Sequence, residues 1–486
     1  MNPPRILGLS PAWAAGLLIA AATLVRFFLT GWLPLLPDEA YYWQWSRHLD
    51  ASYISKGPGV AYTIAAGTAL FGDNNFGIRF FAVALSAGTA WQVFLLARRW
   101  YDEVAGLIAV LLISVVPLYA VGAIVMTIDP LSAFFWVWAA NLFSRAITDG
   151  RWIDWLLAGF AVGCGFLGKY LNALELLAFL VFLLAVPRRR TWLGRPHFWA
   201  MLSVAVFCTL PVIWWNACHG WTTAGQLEHR GGLNGPFTLH LSTFLDFLGL
   251  QAGMVSPLLF VALIALAITL IAAWLRRQAP AEGDLLLLLL FLSVFGFYAV
   301  LALHLRCEPN WPAVSYLSLI VVLSSRWKTL LEKPGAHGFI AAAYLVAWVE
   351  SLALYYTSVL PLPAKHDPMS RLAGWRETAG HLGALQKDQH ADVLIADSYK
   401  EASIFSFYLP HHEFIYTKRH RPAATQYDFW PGYLDVPHTR ALWITSDPSS
   451  TALAHDFPSI TLVERVQVSY RGRPLREYTI YRCETR

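Results

Sequence analysis

Charge is what this sequence has least of. Only 14% of its 486 residues are Asp, Glu, Lys or Arg, against 57% hydrophobic, whereas an average soluble chain carries about 25% charge. A soluble protein of this length could not cover its surface with so few charges, which excludes an array of soluble domains of about 150 residues each. The net charge of +5 is small and scattered, so nucleic acid is excluded as a partner. Cysteine is also scarce. Cys164, Cys208, Cys218, Cys307 and Cys483 show no metal-ligand spacing, and neither a disulfide framework nor a zinc site follows from them. Internal repeats, low-complexity stretches and a phosphate-loop glycine motif are all missing, so nothing points to a nucleotide site.

Long apolar runs fill the space that charge leaves. A membrane helix needs about 20 mostly apolar residues, and such runs lie near 11–33, 78–97, 104–122, 130–147, 153–168, 171–187, 198–216, 246–275, 284–303, 311–325 and 337–360. The first lacks a small-x-small cleavage site and reads as an anchor and not a removable signal. The last 126 residues hold 29 charges and the first 360 only 38, so a polytopic membrane domain over 1–360 is expected to precede a soluble domain over 361–486. Helical spacing over 367–388 and short strands at Val393–Ala396, Phe414–Tyr416, Ala441–Ile444 and Thr461–Val468 make that tail a small α/β domain. Basic residues at Arg98-Arg99, Arg188-Arg189-Arg190, Arg276-Arg277 and Arg326/Lys328/Lys333 fall in alternate loops and should face the cytoplasm. Loops 34–77, 123–129, 217–245 and 304–310 then share the outer face with the tail.

Ionisable groups at membrane depth are costly and mark functional sites by default. Asp38 and Glu39 follow the first span directly; the bland alternative is a solvated helix start with Asp38 as its N-cap. Lys56 precedes a Gly57-Pro58-Gly59 turn that should hold it near the headgroups, where it has the alternative of simply snorkelling. Asp129 opens a span, as a helix-start acid also would. Lys169 interrupts an apolar stretch of about 35 residues, and burying a lysine calls for an anionic partner or ligand. Glu228-His229-Arg230 in one outer loop, and Arg306 with Asn310-Trp311 between Pro309 and Pro312 in another, complete a ring of carboxylates, cations and aromatics at one membrane boundary. Loop charge accounts equally well for the former, and an interfacial aromatic belt for Trp311.

Asp38-Glu39-Ala40-Tyr41-Tyr42, Lys56-Gly57-Pro58 and Phe71-Gly72-x-Asn74-Asn75-Phe76-Gly77-x-Arg79 together resemble the polyprenyl-phosphate-dependent glycosyltransferases of the GT-C fold. Within them the pattern is most similar to the bacterial branch of protein mannosyltransferase-like enzymes and the lipid A aminoarabinose transferase, of glycosyltransferase family 39 type. Asp129-Pro130, Phe166-Leu167-Gly168-Lys169, Glu308-Pro309-Asn310-Trp311-Pro312 and the tail phrases 396–403 and 426–432 extend the resemblance over most of the chain. It implies a GT-C-like bundle of about 11 transmembrane helices carrying a small extracytoplasmic α/β domain. The first outer loop, 34–77, would be catalytic, in a multi-pass protein of the bacterial inner membrane with its C-terminal domain in the periplasm. It implies Asp38, with Glu39, as catalytic, and Tyr41, Tyr42, Lys56, Asp129, Lys169, His229, Arg230, Arg306, Asn310 and Trp311 as substrate-binding. The aminoarabinose branch has a metal-holding glutamate where this chain has Ser55, so the resemblance leaves a divalent metal open.

The expected reaction is transfer of one sugar from a polyprenyl-phosphate carrier to an envelope acceptor, whether lipid A, another glycolipid or a protein, with inversion. Two alternatives are a lipid-linked glycan transporter and a ligase that transfers a whole glycan. A transporter should carry midplane charges and repeated halves, and this sequence shows no repeat.

Overall fold

The computed structural model describes residues 8–485 apart from 233, 234, 237, 279, 358–362, 364–366, 438, 448 and 451. Met1–Arg5, the end of the expected span 337–360 and the expected domain boundary at 361 lie outside the described residues. The helices run α1 (Pro11–Trp32), α2 (Pro37–Arg47), α3 (Gly59–Phe71), α4 (Asn75–Trp100), α5 (Glu103–Val115), α6 (Pro117–Gly122), α7 (Ile128–Asp149), α8 (Trp152–Gly168), α9 (Leu174–Ala185), α10 (Pro196–Cys218), α11 (Thr222–Arg230), α12 (Leu241–Val255), α13 (Pro257–Leu275), α14 (Glu282–Ala302), α15 (Ala313–Leu330), α16 (His337–Tyr355), α17 (Trp375–Asp388) and α18 (Tyr399–Tyr408). The strands are β1 (Val393–Ala396), β2 (Tyr416–Thr417), β3 (Arg440–Thr445), β4 (Ser459–Tyr470) and β5 (Arg473–Glu484). Two compact units result: Met1–Thr30, Lys56–Val60 and Arg79–Tyr355 form one, and Gly31–Ser55, Ala61–Ile78 and Tyr356–Arg486 the other. The first loop is therefore divided, most of it grouping with the C-terminal residues and only Lys56–Val60 with the helical unit.

In the helical unit, six helices among the described residues are long and apolar enough to cross a membrane, or seven if a bent pair counts as one span. The other expected spans form helices that are shorter or more polar. Two expected spans are broken by proline, which has no N–H to continue a helix and tolerates only its first turn: 104–122 divides at Pro117 and 246–275 at Pro257. Leu285–Leu290 of α14 are all buried, so the first half of this helix is enclosed by protein, and α14 packs on α9 and α15. α8 meets α10 through small residues. A Cβ on Gly159 would lie 2.2 Å from the Met201 carbonyl oxygen, and one on Gly163 2.4 Å from Cys208 Cβ, the close backbone approach that membrane helices use in place of a hydrophobic driving force.

In the other unit the sheet order is β2-β1-β3-β5-β4, with β1 parallel to both β2 and β3, and β5 antiparallel to β3 and β4. Parallel neighbours need a crossover, and α18 supplies it between β1 and β2. Val393, Ile395, Ala441, Trp443 and Cys483 build the core on one side of the sheet with Leu453 and Phe457. α18 also packs against α2.

Ser256, between α12 and α13, has φ +83°, and its buried hydroxyl has no partner among the described residues. A left-handed backbone costs an L-residue about 1–2 kcal/mol that glycine avoids. Ser256→Gly should therefore raise the thermal midpoint of the detergent-solubilised protein by about 2 °C; a lower midpoint would show that the hydroxyl and backbone are unstrained.

Candidate active site

Lys169 organises the polar centre of the helical unit. It caps α8 in extended conformation (φ −144°, ψ 119°), so its side chain leaves the helix where the backbone turns away. Only 7% exposed, its ammonium lies 2.8 Å from Asp129 Oδ1 and donates to the carbonyls of Trp311 (3.2 Å) and Asn310 (3.4 Å). The second carboxylate oxygen, Oδ2, accepts Asn310 Nδ2 at 2.8 Å. Asp129 sits in the first turn of α7 behind its N-cap Thr127, where the helix dipole favours an anion. Pro309 and Pro312 bracket the approach to α15 and so fix Asn310 and Trp311. The Trp311 ring leans on Tyr298, centroids 5.4 Å apart.

Lys56 belongs to the same unit, close enough to Asp129 to act on its carboxylate electrostatically. Its placement depends on the two glycines that follow. A Cβ on Gly57 would sit 2.3 Å from the Leu167 carbonyl oxygen and one on Gly59 2.9 Å from it, so only glycine lets this segment lie against the last turn of α8, two residues before Lys169. Sequence reasoning expected a tight turn here; the close approach is what the structure adds. It also adds Arg26, which sequence reasoning missed although an arginine inside a 22-residue apolar helix was a signal. Arg26 is hydrogen-bonded to Tyr355 and lines, with Thr89, Tyr119, Leu317 and Asp129, a cavity of about 70 Å³ whose walls are otherwise largely apolar.

In the other unit Pro37 takes the first position of α2, Leu36 is its N-cap, and Asp38 and Glu39 fall in the first turn. Asp38 is thus not the cap. The two acids have different surroundings: Glu39 is fully buried and its Oε2 accepts the Leu36 N–H at 3.0 Å, while Asp38 is 56% exposed with Lys400 Nζ 3.6 Å from its Oδ1. Tyr41 is buried; its hydroxyl accepts the Gln426 N–H at 2.8 Å, and its ring meets Tyr399 with centroids 4.4 Å apart. Tyr42 is half-buried, edge-on to Trp45. Gln426 Oε1 in turn accepts the Ile54 N–H at 2.9 Å. The tail phrases singled out in the sequence are therefore what α2 rests on. The 71–79 phrase builds the corner between α3 and α4: Asn74 Oδ1 accepts the Gly77 N–H at 2.9 Å, and a Cβ on Gly77 would strike the Gly72 carbonyl at 2.2 Å.

The family described as dolichyl-phosphate-mannose-protein mannosyltransferase matches residues 55–215. The lipid A galacturonosyltransferase RgtD of Rhizobium johnstonii is 26% identical over 368 residues, covering 74% of this chain and 75% of its own. An undecaprenyl phosphate-α-4-amino-4-deoxy-L-arabinose arabinosyl transferase of Pseudomonas aeruginosa is 32% identical over 312 residues, 56% of this chain and 54% of the relative, so the chain spans about half of that enzyme. Among solved structures, ArnT of Cupriavidus metallidurans bound to undecaprenyl phosphate superposes with a TM-score of 0.64 at 18% identity, over 96% of this chain and 97% of that one. The chain is a GT-C-fold glycosyltransferase. It is a multi-pass membrane protein.

The remaining expected residues of this glycosyltransferase lie apart from the Lys169 cluster. His229 and Arg230 end α11 exposed, and Arg306 is exposed before α15; no contact among the described residues joins them to Asp129 or Lys169. Nor do the residues present suit the divalent metal that the resemblance leaves open. Among the described residues no three His, Cys, Asp or Glu side chains converge, and Glu228 and His229 are both exposed.

Removing one partner of a buried ion pair strands the other charge, at a cost of about 3–5 kcal/mol, whereas removing both can be nearly neutral. Asp129→Asn and Lys169→Met should each lower the thermal midpoint in detergent, and the double variant should recover most of the loss. Additive losses would break the pairing.

Proposed function

We propose that this glycosyltransferase moves one sugar from an undecaprenyl-type phosphate carrier to a lipid A-type glycolipid on the periplasmic face of the bacterial inner membrane, where its C-terminal domain lies. The observation that carries the reading is the gathering of Lys169, Lys56 and Arg26 around Asp129 and its cavity within an apolar helical unit. Cations gathered within an apolar unit suit a ligand whose negative charge grows as it reacts. The names of the relatives supply the carrier and acceptor classes.

In the proposed step the acceptor oxygen attacks the anomeric carbon, the new C–O bond forms opposite the bond to phosphate, and that bond breaks with its electron pair remaining on the carrier phosphate. Configuration inverts. The acceptor hydroxyl's proton passes to Asp38, whose accessible carboxylate serves as general base, a role typically contributing about 10²–10⁴-fold. Where the acceptor oxygen is already an ionised phosphate, Asp38 orients it instead. Lys56 and Lys169 neutralise the charge developing on the leaving phosphate, the electrostatic stabilisation that usually dominates such transfers. Asn310, the Trp311 carbonyl and Asp129 hold Lys169 in place for this. Glu39, Tyr41 and Tyr42 support the base from behind by fixing α2, and His229, Arg230 and Arg306 are left to the acceptor side. No step is assigned to a metal.

Asp38→Asn should lower transfer at least 100-fold while membrane insertion and thermal stability stay unchanged; near-normal transfer would remove Asp38 as the base. Lys56→Ala should raise the KM for the donor or lower kcat, and unchanged kinetics would exclude a phosphate role. A cysteine placed at residue 420 should react with an impermeant thiol reagent added outside intact spheroplasts. Reaction only after permeabilisation would invert the topology.

A further inference from the structure

The C-terminal end of α2 carries a second arrangement of polar side chains that the transfer step does not use. An open cavity of about 370 Å³ is lined by Gln44, Arg47 and His48 of α2, by His412 and Phe414 of the segment after α18, and by Tyr416 of β2. That size falls within the range of small-molecule sites. All six belong to one compact unit.

Two features set this cavity apart from ordinary surface roughness. The first is that both histidines are locked. His48 Nδ1 donates to the Gln44 carbonyl at 3.1 Å, and His412 Nδ1 donates to the Phe407 carbonyl at 2.7 Å; a carbonyl accepts only, so each Nδ1 carries a proton. Neither Nε2 has a partner among the described residues. Aromatic contacts hold the rings as well: His48 stacks on Trp430 with centroids 4.6 Å apart, and His412 on Phe407 at 5.5 Å with Trp43 edge-on at 5.3 Å. Surface side chains are seldom immobilised at three points, because ordering them costs entropy. The second feature is Arg47. One guanidinium nitrogen is given to Asp73 Oδ2 at 2.9 Å, and its face lies 5.2 Å from the Trp43 ring centroid, which leaves the rest of its donor fork to the cavity. Asp73 is itself engaged on its other oxygen by Trp43 Nε1 at 2.7 Å.

We propose that this cavity is a subsite for an acidic sugar residue, one ring bearing a carboxylate or a phosphate. Arg47 takes the anionic group through charge-assisted hydrogen bonds. With Nδ1 spent on the backbone, the Nε2 of each imidazole is left to hydrogen-bond a sugar hydroxyl. Phe414 and Tyr416 offer apolar ring surface to the C–H face of the sugar. The subsite rests on the transferase reading only in that it would hold a charged saccharide of the acceptor away from the reacting centre.

The test is equilibrium binding to the full chain in detergent, with glucuronate, glucosamine 1-phosphate, glucose and inorganic phosphate as probes. Glucuronate or glucosamine 1-phosphate should bind saturably, the tighter of the two identifying the acid group, and glucose should bind about 10-fold more weakly, as expected when one hydrogen bond to a charged group is missing. Inorganic phosphate should be weaker still. Arg47→Gln should weaken the acidic sugar about 10-fold, and Arg47→Lys, which keeps the charge and the helix but not the fork, by less. His412→Ala should weaken glucose and the acidic sugar alike. Arg465→Gln, on β4 and facing Glu477, is the control and should bind as the parent does. Inorganic phosphate binding as tightly as the sugar phosphate, glucose matching the acids, or an unaffected Arg47→Gln would each overturn the proposal. Because no turnover is needed, failure here leaves the transfer reading standing, and lost transfer in Asp38→Asn leaves the subsite standing.

Discussion

An ammonium group cannot be left bare among apolar helices, and much of the helical unit is arranged around that constraint. The cost of desolvating an unpaired lysine is several kcal/mol, and Lys169 meets it with one carboxylate and two backbone carbonyls drawn from α7 and the entrance of α15. Those partners are non-local, so satisfying a single side chain ties three helices together. Carbonyls at a helix entrance serve this purpose: between Pro309 and Pro312 the chain turns, and the Trp311 and Asn310 carbonyls reach Lys169, the latter while also accepting the Ala313 N–H at 3.3 Å. The glycines at 57 and 59 then bring a second lysine to the same place by letting one backbone lie directly on another.

The other unit shows how two neighbouring carboxylates acquire different work. Successive residues on a helix point about 100° apart, so when Glu39 turns inward to the Leu36 N–H, Asp38 must face outward. The buried carboxylate accepts a backbone N–H, which suits it to holding the start of α2. The exposed one, facing Lys400, is the one given the base's role in the proposed step. That division is held from beneath by residues nearly 400 positions away, since Tyr41 and Ile54 bond to Gln426, and Gln44 to Ser406 at 2.7 Å.

Legibility in the sequence followed the range of the interaction. The strand expected at Val393–Ala396 is β1 over the same four residues, and Ala441–Ile444 lies within β3, because short buried β-branched runs announce themselves locally. β5 was not anticipated. Arg473–Glu484 mixes charged, polar and apolar residues without a clean period and becomes a strand by pairing with β4 and β3. Pro117 and Pro257 were visible as helix breakers, yet the hydropathy on both sides masked the breaks they cause. Within the site, Lys169 and Asp129 stood out because a charge in an apolar run needs explaining; Arg26 met the same criterion and was overlooked inside the first span. The partnership of Lys400 with Asp38 had no local signal. It depends on α18 packing against α2, which no periodicity encodes.

The two ends of α2 also show where a structural account stops. Acids in the first turn and cations in the last are what the helix dipole favours, at about 0.3–1 kcal/mol each, so Asp38, Glu39 and Arg47 all have a reason to be present without any ligand. The dipole acts on charge and is indifferent to ring orientation. It does not require that His48 and His412 spend an N–H on a backbone carbonyl and lie against tryptophan and phenylalanine, and it does not act on His412, which is not part of the helix. Fixing two imidazoles with their Nε2 atoms unspent lowers the entropy still to be lost when something binds. Preorganisation of that kind is a cost in the free protein, and a bound ligand is what would offset it.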